Sequence, residues 1–446
     1  MDLVFHNSLT RRREVFKPLG STVGIYSCGP TVYDFAHIGN WRSFLTADLL
    51  RRVLEYNDHQ TKTVMNVTDV DDKTIAGSRA AGETLAAFTQ KYEAAFLADR
   101  ARLNILPPTK LTRATEYLPQ MIKLVEELLA KNFAYSTTDG IYFSVAKLPS
   151  YGRFRTVTPS AEADFALWKF WQPADGEVGW KAPFGPPGSQ TSRGRPGWHL
   201  ECSAMSAAEL GEQFDFHTGG ADLIFPHHEN ELAQSEAASG KAPLARFWLH
   251  NEFVLVDGQK MSKSLGNIYT LNDLAAKKIS PLAYRYWLLT AHYRTPVNFT
   301  WEAAAGAETA LRKLHTRVRQ LRAETEKEGG EKAEVDDNYR QKFLTAVNDD
   351  LNLPVALALV WKLLADLNLP PPVAHATILD FDRVFGLNLL DVRRPTITAE
   401  ISSLVAKREL ARTEKNWAEA DRLRREIETA GWQVNDTASG PEILPL

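Results

Sequence analysis

The 446-residue sequence predicts an α/β protein: a doubly wound parallel sheet split by an insertion, followed by an α-helical bundle and a small C-terminal domain. Three observations carry that prediction. Residues 22–28 form a short apolar run, a glycine-bearing turn follows, and Phe44, Leu45, Leu49, Leu50, Val53 and Leu54 then recur at helical spacing ahead of a second strand-like run, "TKTVMNVTD". Strand, turn, helix and strand in that order open nucleotide-binding sheets, whose ligands sit beyond the carboxyl ends of the strands. The alternation resumes near residue 200, and residues 310–390 are helical in period almost throughout.

Taken in order, the loop "PTVYDFAHIG" joins the first strand to the first helix, which puts His37 and Gly39 at the ligand end. Residues 83–104 read as a helix stopped by "ILPPT". Between residues 115 and 170 a helix (118–132) alternates with strand-like pieces such as "GIYFSV", as in an inserted module. The segment "WQPADGEVGWKAPFGPPGSQTSRGRPGW" is dense in glycine and proline and reads as an exposed excursion. A helix near 201–210, the strand "FDFHTGG" and a helix opened by the proline of "FPHHENELAQSEAA" complete the sheet region. The helical stretch that follows is interrupted at "GGEKAEVDD" and "LPPPV". A last unit carries Lys407, Arg408, Arg412, Lys415, Arg422, Arg424 and Arg425. The expected divisions are therefore 1–114 and 193–255 for the two halves of the nucleotide-binding domain and 115–192 for the insertion, then 256–308, 309–396 for the bundle and 397–446 for the C-terminal domain.

Apolar content of 44% with 24% charged residues describes a folded chain, and a net charge of −3 means that any nucleic-acid partner needs a local basic patch. No uninterrupted apolar window is long enough to span a bilayer, and the N-terminus lacks the apolar core of a secretory signal. A cytoplasmic protein without a membrane partner is expected. Its two cysteines, Cys28 and Cys202, lie far apart and make no disulfide framework; they are free thiols or metal ligands.

Three constellations carry chemistry. His37-Ile38-Gly39-Asn40 at a strand-to-helix junction can set an imidazole and helix N-terminal amides against a phosphate. In "VDGQKMSKSLGN", Lys260 and Lys263 stand in a serine- and glycine-bearing loop, where mobile ammoniums can follow a triphosphate and neutralise charge developing on it. Cys28, Cys202, His227 and Glu231 are candidate metal ligands, the last two one helical turn apart. Two thiolates, an imidazole and a carboxylate suit zinc better than magnesium or calcium. On residue types alone, inert packing of the cysteines and a purely structural metal both remain open.

The strings "YSCGPTVYDFAHIGN", "MNVTDVDDKTI", "RATEYLPQMI", "RPGWHLECSAMS", "FDFHTGGADLIFPHHENELAQSEA", "NEFVLVDGQKMSKSLGN" and "KNWAEADRLRREI" resemble, collinearly and nearly end to end, the cysteinyl-tRNA synthetases of the class I family. The resemblance implies a Rossmann-type catalytic domain. It also implies zinc held by Cys28, Cys202, His227 and Glu231, with the substrate cysteine adding its own sulfur, and Thr31, Thr68, Trp198, His199 and His217 around it. His37, Gly39, Asn40 and Lys263 would bind ATP, accompanied by magnesium. His37, Asn40, Lys260 and Lys263 would serve the formation of cysteinyl-adenylate, whose acyl group then passes to the tRNA for cysteine. A monomer is expected, with its C-terminal unit on the anticodon.

Zinc suits this substrate because a pocket alone separates near-isosteres by only about 1–3 kcal/mol, whereas a bound metal ionises a thiol far more readily than a hydroxyl. Two departures from the family pattern stand out. Asn40 replaces the second histidine of "HIGH", and the chain ends "TASGPEILPL" where many relatives carry an aromatic and basic tail. A ligase joining cysteine to a small amino-sugar and a non-catalytic RNA-binding paralogue are the competing readings. The intact lysine loop argues against the second and "KNWAEADRLRREI" against the first.

Overall fold

The computed structural model describes residues 2–156, 161–190, 192–327, 333–391, 398–437 and 440–445. Within Met1–Leu389, the first of two compact units, five parallel strands organise the structure. They are β1 (Thr22–Ser27), β2 (Gln60–Val67), β3 (Lys110–Arg113), β4 (Phe214–Gly220) and β5 (Ala245–Asn251), in spatial order β5-β4-β1-β2-β3. The chain runs outward from β1 through β2 to β3, then returns to add β4 and β5 on the other side. The reversal between β1 and β4 opens the crevice in which such sheets bind ligands. β4 is buried along its whole length and β1 in all but its first residue, and β4 carries the buried polar residues Asp215, His217 and Thr218 among its apolar ones.

Helix α1 (Ile38–Tyr56) links β1 to β2 and begins at the His37-Asn40 tetrad. His37 is its N-cap. The Nδ1 of His37 accepts from the Asn40 backbone at 3.3 Å, while the Asn40 side chain accepts from the His37 backbone at 3.0 Å, a reciprocal capping box. Further along α1, Asp48 is fully enclosed and accepts from Arg52 at 2.8 Å, from Arg285 at 2.6 Å and from the Leu106 backbone at 2.9 Å. Burial opposes ionisation of Asp48, yet the two guanidiniums hold its carboxyl below the usual range. A helix α2 (Asp72–Ala81), unassigned in the sequence, precedes the expected one, α3 (Leu85–Arg102).

After α4 (Leu118–Ala130) the insertion forms a five-stranded antiparallel sheet from Ala134–Ser136, Gly140–Phe143, Phe165–Phe170, Ser192–Pro196 and Trp180–Ala182, in that spatial order. The glycine- and proline-dense segment is therefore not a simple excursion, since it supplies two of these strands. Its glycines permit close packing: a Cβ at Gly194 or Gly197 would collide with the backbone of the neighbouring Phe165–Phe170 strand. Arg195, buried, pairs with Asp175 at 3.0 Å and with Asp72 of α2.

Helix α5 (Trp198–Leu210) begins where this sheet ends. The helix expected to open at Pro226 starts instead at Glu229, as α6 (Glu229–Ser239), after an irregular turn over Ile224–His228. The cause is local: the residue before a proline is driven from the helical region, and Phe225 is extended. Beyond the sheet lie the helices Trp301–Lys327, Asp337–Val347, Leu353–Leu364 and Pro371–Phe385. Part of the break expected at "GGEKAEVDD" lies outside the described residues. No described helix is long and apolar enough to cross a membrane.

The second unit, Leu390–Leu446, pairs helices Ala399–Thr413 and Trp417–Thr429 with the hairpin Trp432–Thr437/Gly440–Pro445 around Ile401, Val405, Ile427 and Val434. The division expected at 396/397 falls outside the described residues, as do Ala438, Ser439 and Leu446 of the divergent tail.

Candidate active site and metal centre

The ends of β1, β4 and β5 and the starts of α5 and α6 converge on one buried cluster. Cys28 follows β1 directly, its amide donating to the Thr218 carbonyl of β4 at 3.3 Å, so the parallel ladder itself sets the thiol. Cys202 projects from the second turn of α5, and Glu231 from the first turn of α6. Sγ of Cys28 lies 3.9 Å from Sγ of Cys202 and 3.7 Å from Oε1 of Glu231, and that oxygen is 2.9 Å from Nε2 of His227. A tetrahedral zinc with bonds of about 2.0–2.3 Å separates its ligands by about 3.3–3.8 Å; the Cys28–Glu231 spacing matches this, the sulfur–sulfur spacing is slightly longer, and His227 and Glu231 sit at hydrogen-bond distance and would part slightly for the four donors to share one ion. They lie within 4.8 Å of one another and are buried or nearly so.

The same buried cluster contains a second candidate set, Cys28, His217, His228 and Glu231. Here the imidazoles are already engaged: Nε2 of His217 meets Oε2 of Glu231 at 2.8 Å, and Nδ1 of His228 meets His250 at 2.7 Å. His199 does the same for the first set, its Nδ1 lying 2.8 Å from Nδ1 of His227. These rings orient the donors, as the partners of metal ligands do. His228, whose Nε2 is 3.3 Å from Sγ of Cys28, and His250 were not singled out in the sequence.

Electrostatics divides the cluster sharply. Burial works to raise the Glu231 carboxyl, but the His217 and His227 rings outweigh it and bring it down to about 2. Burial likewise opposes charge on His227, which Glu231 and Cys202 nevertheless raise to about 10. His199 and His250, lacking so close an anion, are driven by burial to about 3. The Cys28 thiol is pushed up by burial and by Cys202, while Cys202 is brought down to about 6 against its own burial by Cys28 and His227. Without a cation, then, His227 carries a proton that a metal would displace.

Around this centre, Trp198 lies against His227, tilted by 30° with ring centroids 4.1 Å apart, and remains 39% exposed. Thr31 bridges to Thr68, whose hydroxyl donates to Glu201 at 2.9 Å. Glu201, fully enclosed, has its carboxyl raised well above the usual range by burial. It was not singled out in the sequence, although its partner Thr68 and its neighbour Cys202 were.

The phosphate-type motifs face each other across the β1–α1 loop. The Ile38 amide donates to the Tyr269 carbonyl at 2.8 Å, and the end of the Met261 side chain packs against Gly39, bringing the lysine loop onto the helix start. Nζ of Lys263 pairs with Asp34 at 2.7 Å. Lys260 lies over the Phe253 ring at 4.9 Å instead. Burial lowers the His37 pKa, favouring its neutral form.

The family described as the tRNA synthetases class I (C) catalytic domain matches residues 15–309, and the cysteinyl-tRNA ligase anticodon binding domain matches 394–440. The cysteine–tRNA ligase of Chlamydia muridarum (strain MoPn / Nigg) is 40% identical over 483 residues, covering 100% of both chains. The chain belongs to the cysteinyl-tRNA ligase family. Cysteine–tRNA ligase 1 of Burkholderia lata is 41% identical over 476 residues, across 100% of this chain and 97% of that one. Among solved structures, the methionyl-tRNA synthetase of Mycobacterium tuberculosis with methionyl-adenylate matches at TM-score 0.58 and 14% identity, over 84% of this chain and 91% of that one. The LeuRS–tRNA–LeuAMS complex of Agrobacterium radiobacter K84 matches at TM-score 0.60 and 12% identity, over 84% of each chain. These two share the class I fold with this cysteinyl-tRNA ligase family member, which is accordingly a class I aminoacyl-tRNA synthetase.

Proposed function

We propose that this enzyme activates L-cysteine with ATP and magnesium as cysteinyl-adenylate and transfers the acyl group to the tRNA for cysteine, with zinc selecting the amino acid. The observation that carries the reading is the donor set Cys28, Cys202, His227 and Glu231, whose Cys28 stands at the end of β1 on the same loop as His37. Zinc supplies an acid that ionises a thiol and binds sulfur in preference to oxygen. His217 fixes the Glu231 carboxylate and His199 the His227 ring, so the ligands are held before the substrate arrives.

His37, neutral and half-exposed at the α1 N-cap, donates to the α-phosphate from the positive end of the helix. Asn40 holds the cap closed, and Gly39 presents its amide without a side chain. Lys263 leaves Asp34 for the triphosphate and neutralises charge developing there. Lys260, anchored over Phe253, acts from further back. The C-terminal unit reads the anticodon. The enzyme works in the cytoplasm as a monomer.

The deciding experiment is acceptor choice: radiolabelled cysteine should appear on tRNA and not on a small amino-sugar. Transfer to the sugar alone would establish the ligase reading.

A further inference from the structure

Beside the two ATP motifs, the β1–α1 loop carries an aromatic surface, one ring of which, Tyr33, also lies under Nζ of Lys263 at 5.6 Å. Phe35 is 49% exposed, and its ring stands edge-on to Tyr92 of α3 at 5.2 Å. Tyr92 in turn packs edge-on to Phe88 at 5.0 Å. Two cations cover the same surface: Nζ of Lys91 is 5.2 Å from the Tyr92 ring and Nζ of Lys73 is 5.0 Å from the Tyr33 ring. Neither ammonium has a carboxylate partner among the described residues, whereas the acids nearby do: Asp34 pairs with Lys263, Asp72 with Lys169 and Arg195, and Glu93 with Arg113.

Flat rings with unpaired cations between them match one class of ligand, a strand whose bases have free faces and whose phosphates repeat. The tRNA-charging reading brings such a strand to this loop, whereas an acidic peptide or an anionic lipid has no place in that reaction. ATP has a single base, and its phosphates are claimed by His37 and Lys263. We propose that Phe35 and Tyr92, flanked by Lys73 and Lys91, form the platform over which the unpaired 3′ end of the tRNA passes on its way to the acyl group. The assignment rests on the tRNA-charging reading above. It adds where the RNA end lies: against the loop that joins Cys28 to His37, so that the acceptor hydroxyl arrives beside the reacting groups.

The test is a binding cycle with two RNAs, a full-length transcript of the tRNA and one lacking its unpaired 3′ nucleotides. The unaltered enzyme should bind the full-length RNA about tenfold more tightly, the scale of one stacked base. Phe35→Ala should cut that difference to about twofold or less, Phe35→Tyr should restore it, and Lys91→Ala should weaken the full-length RNA alone. Cysteine-dependent pyrophosphate exchange, which needs no RNA, confirms that each variant is folded. A Phe35→Ala enzyme that keeps the whole truncation penalty overturns the proposal. So does one whose KM for ATP in exchange rises instead, since the occupant would then be adenine, and so does an unaltered enzyme indifferent to truncation. Failure of the unaltered enzyme to charge any tRNA would strike the functional reading instead.

Discussion

Cys28 gains its meaning from what folds against it. Alone it is a small buried thiol; with Cys202, His227 and Glu231 within 4.8 Å it becomes one donor of a set that fits a tetrahedral cation. All four donors were legible in the sequence through the family resemblance. The rings that orient them were legible only in part, because His228 and His250 meet through the pairing of β5 with β4 and no local pattern reports that. Removing one sulfur should break the centre: Cys202→Ser is expected to lose most of its bound zinc, read by metal analysis of the purified chain. Lys263 offers a separate test of the phosphate side. Lys263→Ala should retain zinc and slow pyrophosphate exchange by about 10²–10³, the scale of one electrostatic stabiliser of a transition state.

At the scale of elements, α1 does two jobs. Its first turn presents the His37-Asn40 capping box, and its middle is locked to the rest of the unit by Asp48, Arg52 and Arg285. Asp48→Asn should cost about 3 kcal/mol, because it leaves Arg285 buried without its anion. The folded pKa of Asp48 is below its unfolded value near 3.8, so its contribution is complete above about pH 4 and is lost as pH falls through the folded value. The stability gap between the two proteins, measured by denaturant titration, should therefore hold at neutral pH and narrow below pH 4.

The insertion was harder to read, since glycine and proline normally mark loops. In Ser192–Pro196 they instead allow close approach to the Phe165–Phe170 strand, a long-range fact without a local signature. The C-terminal helices teach the converse. Arg408, buried, and Arg412 both pair with Asp436 of the hairpin, and Arg422 with Glu419 and Glu426. Much of the basic row that looked available for RNA is thus spent on internal ion pairs. Lys407, Lys415 and Arg425 have no ion pair among the described residues, and they are the cations to mutate first in tRNA-binding assays. Each alanine there should lower the salt dependence of binding by about one counterion.

Over the whole molecule, the first compact unit contains the stretch matching the class I catalytic domain, and the second the stretch matching the anticodon binding domain. Truncation after Leu389, where the second unit begins, should leave cysteine-dependent pyrophosphate exchange largely intact and raise the KM for tRNA by at least about tenfold. The fold class and the terminal module were legible because each is carried by contiguous strings. The topological reversal between β1 and β4, which places the crevice, is a pairing of distant strands that no local string reports. The central claim is that a zinc held by Cys28, Cys202, His227 and Glu231 chooses cysteine by its sulfur. The most direct measurement is pyrophosphate exchange with cysteine and with serine on the zinc-loaded enzyme. Strong exchange with cysteine and almost none with serine is the predicted result; comparable exchange with both would contradict the account.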